Sequence, residues 1–243
     1  RGYNISVAAT ANFVREIAAA TGSTPDSAGI APLISAQLEH LHIVPPKLVY
    51  DQAGGTPKII ADVDKASLGQ TQLIVRLVDY NQQRLRFSAQ DFSLDEQGLT
   101  CPNRQMATRF YRSGSADGWN YRFLPEQCAG CPLWDQCRDP KAKPDGYRQV
   151  FISDYIVKGR EAIAYTKTDA FQEEMKQRSN IERVIAGLVR YNGARHAESY
   201  GLDNPDYQAR MAAMAYNLKR WAVLTRQRER DERRSAATPS TPA

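Results

Sequence analysis

Residues Tyr3 to Ala9 set Ile5 and Val7 at alternate positions, and Phe13 to Ala18 continues in the same style. A period of two predicts two short strands joined as a hairpin. The turn-rich stretch TGSTPDSAG follows, where Asp26 or Ser27 can cap a helix whose apolar positions Ile30, Leu33, Ile34, Leu38 and Leu41 recur at helical spacing. Pro45 and Pro46 stop that helix, and residues 47 to 51 read as a short buried strand ending on Asp51 before the Gly54, Gly55 loop. Further strands are expected over Gln72 to Val78 and Leu85 to Phe92. Helical periodicity returns over Asp169 to Arg190, read as one helix, and over Asp206 to Arg226. The latter carries Met211, Met214, Leu218, Trp221 and Leu224 on one stripe, a core-facing pattern.

Between these regions, Thr100 to Tyr147 has no helical period and is rich in Gly, Pro, Asn and Asp, with all four cysteines. It reads as a small module inserted in a larger domain. The boundaries expected are 1–99 and 148–228 for the two parts of the main domain, 100–147 for the module and 229–243 for a disordered tail.

With 243 residues and 42% hydrophobic content, the chain can bury one sizeable core plus an inserted module. No run of about 18 apolar residues occurs, so no membrane-spanning helix is expected. The net charge is +5, and Asp206 to Arg234 alone holds eight basic residues against four acidic ones. A basic terminal helix suits a polyanion such as DNA, and equally a solvated helix face. No Gly-rich phosphate loop, nucleophile elbow or dinucleotide fingerprint is present, which argues against nucleotide hydrolases, esterases and Rossmann enzymes.

Two kinds of side chain carry candidate chemistry. Cys101, Cys128, Cys131 and Cys137 follow the spacing C-x26-C-x2-C-x5-C. Cys-x-x-Cys makes a tight turn that can point two sulfurs at one ion, so a structural zinc is one reading and four reduced thiols the other. Glu182 lies four residues after Arg178 and eight before Arg190 in the helical run QRSNIERVIAGLVRYNGAR. A carboxylate on a basic helix suits a divalent metal beside a phosphodiester, and it is also an ordinary surface charge. Arg178 and Arg190 can hold phosphate bidentately, while Arg178 can instead pair with Glu174 or Glu182.

This run resembles the last catalytic segment of the DDE transposases of bacterial insertion sequences, whose motif is Tyr, two residues, Arg, three residues, Glu, six residues, Lys. Arg178 and Glu182 match; Met175 stands at the Tyr position and Val189 at the Lys position, with Arg190 one residue late. DQAGGTPK resembles the second-carboxylate segment of the same family, and QTQLIVRL the strand after it. The resemblance implies an α/β fold with an RNase H-like mixed sheet flanked by helices and a small Cys-rich insertion.

It also implies Asp51 and Glu182 as catalytic ligands of two Mg²⁺ ions. Arg178, Arg190, Lys219 and Arg220 would contact DNA, and Cys101, Cys128, Cys131 and Cys137 are the candidate zinc ligands. The implied partners are double-stranded DNA, as transposon ends and target, and a second copy in a synaptic complex, in a bacterial cytoplasm beside the nucleoid. The first acidic residue of the set should lie on a first strand preceding Gly2, and Glu16 and Asp26 do not replace it. The chain alone is therefore expected to be an incompletely folded, inactive fragment of an active parent. The alternative is a transposase-derived DNA-binding or zinc-module protein without catalysis.

Overall fold

The alternating first twenty residues form the expected hairpin, β1 (Tyr3–Ala9) and β2 (Val14–Thr21), paired antiparallel with Val7 opposite Ile17. The structure, a computed structural model, describes residues 2–77, 86–143 and 145–237. The remaining elements are α1 (Ile30–Leu41), β3 (Lys47–Val49), α2 (Pro57–Ala66), β4 (Gln72–Ile74), β5 (Ser93–Asp95), β6 (Gly98–Thr100), β7 (Arg109–Arg112) and β8 (Gly118–Phe123). They continue with α3 (Pro125–Cys128), α4 (Trp134–Cys137), β9 (Arg148–Ser153), α5 (Ile156–Thr166), α6 (Asp169–Met175), α7 (Ser179–Tyr191) and α8 (Asp203–Ala237). The chain divides into two compact units: residues 1–54, 62–74 and 169–243, and residues 55–61 and 75–168.

In the first unit, α1 buries Ile30, Leu33, Ile34 and Gln37 on one face. It ends where His42 turns left-handed (φ 53°), a closure that leaves Pro45 and Pro46 outside the helix. β3 and β4 pair in parallel, and the Tyr50 N–H extends the ladder to the Ile74 carbonyl at 3.0 Å.

The core of this unit joins β2 to α7 and α8 through Val14, Ile17, Val184, Leu188, Ala209, Ala212 and Ala213. The alanines leave room for α8 to lie against β2. Side chains of α8 therefore reach the strand's backbone: the Asn217 amide accepts from Val14 N–H at 2.9 Å and donates to Val14 C=O at 2.8 Å, and Asp206 accepts from Ala19 N–H at 2.8 Å. An edge that would otherwise need a neighbouring strand is thus satisfied by a helix. Gly187 is where α7 meets α8: a Cβ there would stand 2.6 Å from the Tyr216 ring.

The second unit contains the antiparallel pair β5-β6 and the sheet β7-β8-β9. Phe92, Leu99, Phe123, Val150, Ile152 and Ile156 form its core, with Cys101, Cys128 and Cys137 packed at its margin.

Several expectations need correction. The strands form four small sheets, and among the described residues β1 pairs only with β2 and β3 only with β4, so no single mixed sheet runs through the first unit. Helices with four small sheets, one parallel and three antiparallel, make the chain mixed α and β. The module expected over 100–147 is part of the larger second unit, because β9 supplies the outer partner of β8 and Ile156 of α5 completes the core.

The helix over Asp169 to Arg190 is interrupted by a tighter turn at Lys176–Arg178, where Ser179 Oγ donates to the Lys176 carbonyl at 3.0 Å. Of the strand expected over Leu85 to Phe92, Leu85 lies outside the described residues, and the rest turns at Ala89–Asp91, capped by Ser88. Val78, expected to end the strand after Gln72, is likewise outside them.

The tail expected from 229 is helical as far as Ala237. Arg, Glu and Gln favour helix, and Arg228 pairs with Glu232 at 2.8 Å one turn on. Residues 238–243 lie outside the described part. Met214, Leu218 and Trp221, expected in the core, are exposed, because they lie on a face of α8 other than that of Ala209, Ala212 and Ala213, which packs on β2.

Candidate metal and DNA-contact residues

Asp51 follows directly on the parallel pair β3-β4, at the carboxyl end of the strands, the edge where α/β sheets open onto ligands. Its Oδ1 accepts from the Ala53 N–H at 3.0 Å and its carbonyl from the Gly54 N–H at 3.2 Å, fixing the backbone turn while the side chain stays exposed. Gly54 is required by packing, since a Cβ would sit 2.5 Å from the Tyr50 ring and 2.9 Å from Ile30 Cδ1. Burial raises the Tyr50 hydroxyl pKa, and the Asp51 and Asp26 carboxylates add to the effect. This corner is already negative.

Glu182 lies in the first turn of α7, where the helix dipole favours an anion, and takes an ion pair from Arg178 at 3.1 Å. Its side chain is 59% exposed. Both carboxylates belong to the first unit. Among the described residues, however, no three or more His, Cys, Asp or Glu side chains come together to hold a metal ion.

The four basic candidates differ. Arg178 is turned to Glu182. Lys219 donates to the Tyr191 carbonyl at 3.3 Å and Asn192 Oδ1 at 2.8 Å, at the end of α7. Arg220 holds Asn12 Oδ1 through two N–H groups at 3.2 and 2.6 Å, fixing the hairpin turn. Arg190 is exposed in the last turn of α7.

The cysteines share one neighbourhood without forming a ligand group. Burial raises the Cys128 thiol pKa; the Arg138 guanidinium opposes this, and the other three thiols add to it. Burial also raises the Cys137 thiol, against the opposing charge of Arg148 and its hydrogen bond to the sulfur. The Nε atoms of both these arginines are buried without a hydrogen-bond partner.

The first unit also holds a buried carboxylate. Glu16, facing inward on β2 and 5% exposed, accepts from His40 Nδ1 at 2.9 Å and from Arg210 at 3.0 Å. Arg210 also binds Asp206 at 2.7 Å, and that pairing leads the rise in its pKa. An acid beside Ile17 on an apolar strand was the available signal. With its oxygens engaged inside the core, Glu16 is a structural residue and does not stand in for an absent metal ligand.

A family model described as a transposase DDE domain matches residues 100–222, just over half of the chain, and the chain belongs to that family. No curated protein and no solved structure matches it. Membership implies transposition of DNA and a divalent metal such as Mg²⁺ as the general requirement of its chemistry. No described helix is long and apolar enough to cross a membrane.

Proposed function

We propose that this chain is the later part of the catalytic domain of an insertion-sequence transposase that cuts and joins DNA strands at element ends. The observation that carries the reading is the family match ending in α8, with Glu182 inside it and Asp51 at a strand end in the same unit. Asp51 and Glu182 would hold Mg²⁺, which when bound activates the attacking water or 3′ hydroxyl and stabilises the leaving oxygen. Arg178, Arg190, Lys219 and Arg220 would orient the phosphodiester backbone, with Arg178 exchanging Glu182 for phosphate.

The parallel pair β3-β4, with Asp51 just past its carboxyl end, would belong to an RNase H-like sheet whose first strand brings the first carboxylate. In a complete enzyme so constituted, acting as a dimer on paired DNA ends, Asp51→Asn and Glu182→Gln should each abolish Mg²⁺-dependent end cleavage and leave duplex binding within about twofold. Cleavage that persists in either variant refutes the assignment.

A structural zinc on Cys101, Cys128, Cys131 and Cys137 is the further part of the proposal. Four thiolates on Zn²⁺ carry a net charge of about −2, which the partly unsatisfied guanidinium groups of Arg138 and Arg148 would balance. Near-stoichiometric zinc in the purified protein, lost in Cys128→Ser, is the expected result; metal-free, equally folded protein refutes it.

A further inference from the structure

We propose that the outward face of the sheet β7-β8-β9 binds an unpaired stretch of DNA by stacking its bases. One face of this sheet packs on the core through Phe123, Val150 and Ile152. By strand alternation the other face carries Arg109, Tyr111, Arg122, Gln149 and Phe151. The solvent side of an antiparallel sheet is ordinarily polar. Here Tyr111, Phe151 and the adjoining Tyr147 are 40%, 38% and 50% exposed, an aromatic surface open to solvent.

Two of the rings, Tyr111 and Tyr147, are held in place. The Arg122 guanidinium lies 4.9 Å from the Tyr111 ring centre and 4.4 Å from that of Tyr147. It donates from Nε to Gln149 Oε1 at 3.1 Å and from Nη2 to the Tyr111 hydroxyl at 3.1 Å, and that hydroxyl donates to Gln149 Oε1 at 3.0 Å. Side chains fixed before binding lose little entropy on binding.

The charge selects the occupant. The three strands carry four arginines (Arg109, Arg112, Arg122 and Arg148) and no carboxylate, with Arg109 and Arg122 on the exposed face. Flat rings beside guanidinium groups match the π-faces of bases and the phosphates between them. A duplex hides its base faces, so the ligand is single-stranded. This rests on the DNA-partner reading and adds which chemistry of DNA the second unit takes.

The test uses the full 243-residue chain, with fluorescence anisotropy of a labelled oligothymidylate and of a labelled duplex, and circular dichroism to verify the fold of each variant. Tyr111→Ala and Phe151→Ala should each weaken oligothymidylate binding by roughly tenfold and change duplex binding by less than about twofold. Phe151→Leu should lose as much as Phe151→Ala, and Phe151→Tyr should retain affinity, because stacking needs an aromatic face. Unchanged single-strand affinity in folded Ala variants overturns the inference, as does full affinity in Phe151→Leu, which would indicate a plain apolar contact. A wild-type chain that binds duplex but not oligothymidylate overturns it and leaves the DNA reading standing. Binding to neither removes both.

Discussion

The two units of this chain solve the same problem with different materials. The first draws its core from segments far apart in sequence, β2 near the start and α8 near the end, using small aliphatic residues that bring a helix close to a strand. Its buried polar groups are met: Glu16 by His40 and Arg210, and Val14 and Ala19 by Asn217 and Asp206. The second builds a smaller, more aromatic core from Phe92 and Phe123, whose ring centres are 5.7 Å apart, bordered by thiols. It leaves Arg138 Nε and Arg148 Nε unmet. Regular elements let the first unit meet these groups internally, whereas the loop-rich second leaves two buried guanidinium nitrogens without an acceptor.

The largest effect should come from emptying either core. Leu188→Ala in the first unit and Phe123→Ala in the second should each cost about 3 to 5 kcal/mol, as both side chains are almost fully buried. Hydrogen exchange followed by mass spectrometry should show lost protection concentrated over 14–21 and 179–216 for Leu188→Ala, and over 92–156 for Phe123→Ala. Equal loss across both regions in either variant would break the division into two units.

The same contrast explains what the sequence made legible. Period two over Tyr3 to Ala9 and the spacing of Ile30, Leu33 and Ile34 each report a repeating environment, one face inside and one outside, and the hairpin and α1 formed as expected. Asp51 lies two residues past β3, which is shorter than the strand expected over 47 to 51, and Glu182 lies on α7. The second unit offered little to read: β7, with all four residues exposed, has no inside to alternate with, and β5 and β6 are three residues each.

Its boundary was missed because the strand that completes the sheet, β9, comes after the compositional change ends. The outer stripe of α8 was misread for a related reason: Met214, Leu218 and Trp221 keep helical spacing on a face of the helix that its packing on β2 leaves uncovered. Periodicity reports that a face exists, and only the tertiary structure decides whether something covers it. The helical course of residues 229–237 was hidden by composition, since alternating Arg and Glu serve a solvated helix as well as a disordered tail.

A smaller effect sharpens the comparison within the first unit, between its two glutamates. Glu16 is buried with two partners, one each from α1 and α8, whereas Glu182 is exposed with one partner a helical turn before it. Glu16→Ala removes the acceptor on which Arg210 and His40 converge. Both partners are nearly half exposed and regain water, so the cost should be about 1 to 3 kcal/mol, below that of breaking a fully buried pair. Glu182→Gln should change stability by less than about 0.5 kcal/mol, the range of an exposed pair one helical turn apart.

Urea denaturation of the two variants separates the roles. A carboxylate that matters to stability and another that stability does not need is the pattern expected if Glu16 serves the fold and Glu182 is kept for chemistry. A loss at Glu182 as large as that at Glu16 would make it a structural residue of α7 and remove the reason to assign it to the metal.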